Sequence, residues 1–147
     1  MTIRKAKQED IKDITKLLHH LFTQEVEFNF NKKIHKKALK KIIKNKTIGK
    51  IFVLIKNKKI IGSVNILYTI STVLGAKVAI LEDMIIVPKQ RGKSLGTKLL
   101  KYVIKYLDKK QIQRVTLLTD NDNHKAHKFY QNLDFQSSDM IIYRKLL

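Results

Sequence analysis

Apolar residues recur at helical spacing in the first part of the chain. Ile11, Ile14, Leu17, Leu18 and Leu21 share one side of the stretch from Gln8 to Phe22. Glu9 and Asp10 fall in its first turn, where the helix dipole favours negative charge. This predicts an amphipathic helix devoted to core packing, preceded by a short strand over Thr2 to Ala6. Ile34, Ala38, Leu39, Ile42 and Ile43 then mark one apolar side of a second helix whose lysines form a solvated face. Beyond it the pattern changes. Ile51 to Lys56 and Ile60 to Thr72 are rich in Ile and Val and are separated by Asn57, Lys58 and Lys59, which predicts a hairpin. Gly75 supplies a further turn before a strand from Lys77 to Val87, so three successive strands form an antiparallel meander. Pro88, the one proline, falls where that strand must end, because it lacks a backbone N–H. An amphipathic helix follows, then a buried strand over Arg114 to Thr119, a short helix over Asn121 to Asn132, and a closing strand over Met140 to Leu146.

The length of 147 residues suits one domain, 1–147, with room for a sizeable core, and no internal repeat or low-complexity linker divides it. Cysteine is absent, which removes disulfides, thiolate metal sites and a cysteine nucleophile. No apolar run is long enough to cross a bilayer, and the N-terminal stretch lacks the apolar core of a signal peptide. The expectation is a soluble cytoplasmic protein that does not engage a membrane. A net charge of +19 raises the question of nucleic acid, since Lys and Arg release counterions on binding phosphates. All but four of the 31 basic residues are lysines, however, spread along the whole chain without interleaved aromatics. A specific nucleic-acid surface favours arginine. The charge serves better to steer an anionic ligand towards its groove.

The centre of the pattern is Ile80 to Leu100, ILEDMIIVPKQRGKSLGTKLL, in which a strand runs through a basic turn into a helix. Gly92 and Gly96 allow close backbone approach, and the free N–H groups of the helix start, with Arg91 and Lys93, suit a diphosphate. An ordinary connection with solvated basic side chains fits the spacing nearly as well. Upstream, Glu82 and Asp83 are adjacent acids in an apolar strand. Their side chains point to opposite faces unless a bulge intervenes. They could be salt-bridged to lysines. A carboxylate lining an acceptor site accounts for them slightly better, since it can take a proton from an amine directly or through a water. His124 and His127 could share a helical face, but no third ligand accompanies them, so no metal site is expected.

Arg91 to Gly96 resembles the acyl-CoA-binding motif of the GCN5-related N-acetyltransferases: Gln or Arg, two residues, Gly, one residue, then Gly or Ala. Ser94 stands at the first motif glycine and serves there if its φ is negative. The flanking LEDMIIVPKQRG and TKLLKYVIKYL are similar to the family's fourth strand and third helix, IRKAKQEDIKDI to its first strand and helix, and Asn123, Ala126, Phe129 and Tyr130 to its next motif. Asp134 replaces the glycine usual before the terminal Phe. The resemblance implies an α/β (α+β) fold, a mixed, mostly antiparallel central sheet of six to seven strands with helices on both faces.

It further implies that acetyl-CoA is the co-substrate. The backbone of Met84, Ile85 and Ile86 would pair with pantetheine, Asn123 would anchor it from the other side, and Arg91, Gly92, Lys93, Ser94, Leu95, Gly96 and Thr97 would hold the diphosphate. Tyr130 would donate a proton to the departing thiolate. The run before the motif is similar to that of spermidine/spermine N-acetyltransferases, which gives Glu82 the role of general base and Asp83 that of attracting a cationic amine. Glu25, Glu27 and Phe28 become candidates for the acceptor pocket. The implied reaction is direct acetyl transfer to a primary amine in a ternary complex, in keeping with the missing cysteine. A small cationic amine is the first acceptor considered, and a protein lysine or N-terminal amine the second. A homodimer is left open. The rival from another class is a non-catalytic module that keeps the fold and binds CoA or RNA.

Overall fold

The computed structural model describes residues 1–22 and 30–147. Its frame is a five-stranded sheet in the order β1-β2-β3-β4-β5, with β1 Thr2–Lys5, β2 Gly49–Lys56, β3 Lys59–Ser71, β4 Ala76–Ile86 and β5 Val115–Leu117. The first four strands pair antiparallel, and β5 joins β4 in parallel. The expected meander is therefore present. Asn57 and Lys58 close its hairpin with positive φ at both central positions, the turn hand that matches strand twist.

Alternation along β2 divides the sides of the sheet. Ile51 and Val53 pack with Ile14 and Leu18 of α1 (Ile11–Phe22) and Leu39 of α2 (Lys32–Lys44). Phe52 and Leu54 belong to the larger core on the opposite side, with Leu99, Leu100, Val103 and Leu107 of α3 (Leu95–Lys109). Burial of each such side chain contributes about 1.5–3 kcal/mol relative to exposure. Helices thus cover both faces, as expected. Asn31 starts α2 by accepting hydrogen bonds from the Lys33 and Ile34 N–H groups. Only the C-terminal part of the apolar side of α2 is used, for Ile34 and Ala38 are exposed. At the other end of α1, Arg4 donates two hydrogen bonds to the Asp10 carboxylate, at 2.7 and 3.0 Å, and the Lys7 N–H donates a third at 2.6 Å. These tie β1 to the helix start.

Three expectations need correction. The described residues form five strands, not six or seven. Arg114 to Thr119 yields only a three-residue strand that is half-buried, not buried. Met140 to Leu146 is not a strand at all, and Met140, Ile141, Ile142 and Tyr143 are exposed. Strand propensity reports fit to a pleated surface and takes effect only against a partner edge, and this segment pairs with no strand among the described residues. Among those residues no helix is long and apolar enough to cross a membrane.

Candidate active site

Pairing of β4 with β5 ends at Leu81 opposite Leu117, while β4 continues to Ile86. Immediately past that point β4 bulges. Ser63 faces Ile85 and Asn65 faces Glu82, so one residue of β3 opposes two of β4, Asp83 and Met84. Asp83 accommodates the extra length with φ at +50°, a left-handed conformation costly for most side chains. The result is the exception allowed for in the sequence. Glu82 lies opposite Asn65, and the Asn65 side-chain amide donates to Asp83 Oδ2, so both acids border the same polar residue on the α1 side of the sheet. Met84 turns the other way, its methyl within contact distance of Gly96 on α3.

Asn65 and Ser63 escaped the sequence reading. Both are buried, and Ser63 Oγ and Asn65 Oδ1 have no hydrogen-bond partner among the described residues. Burying such atoms without a partner is costly, and each calls for a function or a bound group. The signal was available: two polar residues two positions apart in an apolar strand lie on one face.

The chain leaves β4 through a turn at Pro88–Gln90 and reaches α3 at Ser94. Gly92 has a φ of +74°, and a side chain placed there would meet nothing within 4 Å, so the turn opens outward. Ser94 has a φ of +54°. The condition under which serine fits without strain, a negative φ, is not met; Ser94 holds the left-handed backbone that a glycine would adopt freely. Its side chain does not cap the helix. The first helical hydrogen bond runs from the Lys98 N–H to the Ser94 carbonyl, which leaves the Leu95, Gly96 and Thr97 N–H groups at the uncapped end of the helix dipole, suited to an anion. The Arg91 Nε donates to the Ile86 carbonyl at 3.0 Å, and the Lys93 ammonium donates to the Lys89 carbonyl at 3.2 Å. Both bases are thereby folded back along the turn.

The far wall is α4, His124–Gln131. Asn123 caps it by accepting from the Ala126 N–H at 3.1 Å, which commits its carbonyl oxygen and leaves its NH2 to donate to a ligand. The Phe129 ring packs over Gly96, where an added Cβ would lie 3.4 Å from it, and so joins α4 to the start of α3. Tyr130 packs edge-on between Phe129 and Phe135, with ring centroids 5.0 and 5.7 Å away. Burial pushes its phenol up to about 12. Asp134, in the turn after α4 ends at Gln131, has a φ of +65°, so it takes the left-handed turn in place of glycine. His127 contacts the Asp120 carbonyl, and no cluster of three metal-ligating side chains occurs among the described residues. Glu25, Glu27 and Phe28 lie outside the described residues.

A basic turn thus leads into an uncapped helix, beside a strand that continues past its neighbour. The model of the acetyltransferase (GNAT) family matches residues 13–135. The chain belongs to that family. The GNAT fold is shared with a protein from Clostridium difficile 630 described as a possible acetyltransferase, at a TM-score of 0.89 and 20% identity over 99% of this chain and 97% of that one. A transcriptional regulator from Bacillus halodurans C-125 aligns at 0.83 and 23% identity, covering 99% of both chains. An aminoglycoside 6′-N-acetyltransferase from Acinetobacter haemolyticus aligns at 0.82 and 17% identity over 100% of this chain and 99% of that one. At such identities the likeness is one of fold. No curated protein matches the sequence.

Proposed function

We propose that this GNAT protein transfers the acetyl group of acetyl-CoA to the primary amine of a small cationic acceptor, by direct attack within a ternary complex. The observation that carries this reading is the release of β4 from β5 after Leu81, which leaves the backbone of Met84 to Ile86 without a strand neighbour on that side among the described residues, the Ile86 carbonyl accepting from Arg91 Nε, and leads into the uncapped start of α3. Pantetheine adds to that edge as a short strand would. The diphosphate then meets the N–H groups of Leu95, Gly96 and Thr97 above the open Gly92 turn, and Arg91 and Lys93 supply charge. Asn123 holds the pantetheine arm from α4.

On the α1 side, Glu82 and Asp83 receive the cationic amine. Glu82 takes the ammonium proton, directly or through a water, so that nitrogen can attack the thioester carbonyl. As the C–S bond breaks, Tyr130 donates to sulfur; its elevated pKa keeps it a neutral donor throughout the physiological range. The Leu81-Glu82-Asp83 run, similar to that of spermidine/spermine N-acetyltransferases, supports a polyamine-like acceptor over a protein lysine or N-terminal amine.

Calorimetric titration with acetyl-CoA tests the cradle. One saturable site per chain is expected, lost in Gly92→Asp. Tyr130→Phe should retain acetyl-CoA binding and lose turnover by about 10²–10⁴-fold, whereas a non-catalytic CoA-binding module would show no turnover to lose. A module for RNA would bind it with an affinity falling steeply with salt.

A homodimer is part of the same proposal. The outer edge of β5 is free in the described sheet, and the exposed apolar residues of 140–147 have the composition of a strand. A second copy is the occupant proposed for that edge. Deletion of residues 140–147 should then leave a monomer by sedimentation, and a monomeric full-length chain would overturn the assignment.

A further inference from the structure

At the end of the sheet opposite the cradle, a cavity of about 350 Å3 gathers five lysines, Lys5, Lys46, Lys50, Lys77 and Lys110. They arrive from β1, the α2–β2 connection, β2, β4 and the end of α3, so the fold, not local sequence, brings them together. None of the residues lining the cavity is acidic. Like charges converging without a counter-ion raise the energy of the folded chain, and Lys50 registers this: burial first, then the charges of Lys5, Lys46, Lys77 and Lys110, lower its pKa.

Aromatic rings stand where carboxylates are missing. The Lys5 ammonium lies 4.8 Å from the centre of the Tyr106 ring, and the Lys77 ammonium 4.4 Å from that of Tyr68. Such contacts hold an ammonium in place through the ring quadrupole but do not neutralise it, so the positive charge stays available. The Lys50 ammonium donates to the Lys46 carbonyl at 3.2 Å, which further restricts the cluster. A concave site of this volume suits a small molecule better than an extended polymer backbone.

We infer that this cavity is a second anion site, separate from the acyl-CoA cradle, that binds a small molecule carrying two or more phosphate charges. Hydrogen bonds from several lysines to phosphate oxygens would be charge-assisted, with Lys50 half-buried and the other four lysines exposed at the rim. The inference does not depend on the proposed acetyl transfer, because no residue of the cavity belongs to that site.

The test titrates inorganic pyrophosphate, at physiological salt, into the wild-type protein, the Gly92→Asp variant and the Lys50→Gln/Lys77→Gln variant. Because the cradle can also take pyrophosphate, the expected result is one site remaining in Gly92→Asp and, of the wild-type sites, one that weakens at least tenfold in the double lysine variant. Without ligand, the double variant should also melt at a higher temperature than wild type, since the change relieves repulsion, and pyrophosphate should stabilise it less. The inference is overturned if binding disappears with Gly92→Asp, if it is unaffected by the lysine changes, if many weak sites are seen, or if a single-stranded oligonucleotide binds where pyrophosphate does not.

Discussion

Ser94→Gly isolates the strain held at the turn from β4 into α3. Serine at φ +54° and ψ 17° occupies the left-handed region, at a cost of about 1–2 kcal/mol for an L-residue. Its hydroxyl caps nothing and the residue is exposed, so the substitution gives up neither a hydrogen bond to the helix nor apolar burial. Glycine's greater freedom in the unfolded chain offsets about 0.4–1 kcal/mol. The balance is a net stabilisation of about 0.5–1 kcal/mol, equivalent to about 1–4 °C in melting temperature for a domain of this size. Urea denaturation without ligand reads it directly, with Ser94→Ala alongside. Alanine suffers the same backbone penalty as serine and should stay within about 0.5 kcal/mol of wild type. Acetyl-CoA affinity should hold or improve in the glycine variant, because the N–H groups proposed to meet the diphosphate keep their geometry. A Ser94→Gly protein less stable than wild type, together with an Ala variant that loses more than about 1 kcal/mol, would show that the hydroxyl carries an interaction and that the strain argument is wrong.

Other outcomes follow from the same reasoning. Gly49→Ala places a Cβ 2.2 Å from the Ile66 carbonyl oxygen, and a β-ladder backbone cannot yield cheaply, so a loss of about 2–3 kcal/mol is expected by chemical denaturation. Burial tends to raise the Asp10 pKa, but hydrogen bonds from Arg4 and the Lys7 N–H, and their charges, outweigh it and leave a net lowering. Its contribution is therefore complete above the unfolded carboxylate value and is lost as pH falls through the lower folded one. Asp10→Asn should cost about 1–3 kcal/mol at pH 7, with the gap to wild type closing in strong acid; a gap independent of pH would refute the pairing. For Tyr130, raised by burial to about 12, the stabilisation is complete below pH ~10 and declines between there and the folded value. The rate of acetyl transfer should accordingly show no alkaline decline due to Tyr130 below pH ~10, and a decline centred near neutrality that vanishes in Tyr130→Phe would contradict its burial.

Sequence alone determined most of the frame, because the features concerned are local. Helical spacing in α1, the change of period at β2 and the punctuation by Asn57-Lys58, Gly75 and Pro88 each depend on a few neighbouring residues. The turn leading into α3 and the helix carrying Phe129 and Tyr130 were legible for the same reason. Tertiary structure decided what depends on pairing. The bulge at Asp83 exists only in register against Ser63 and Asn65, and it alone brings Glu82 and Asp83 to the same polar neighbour. The positive φ of Ser94 follows from the path the chain must take from β4 to α3, which residue type does not dictate. Residues 140–147 have strand composition, but an edge must be there to receive them. The lysine cavity is the extreme case: lysines spread evenly in sequence become a concentrated positive charge only when β1, β2, β4 and α3 end at one place.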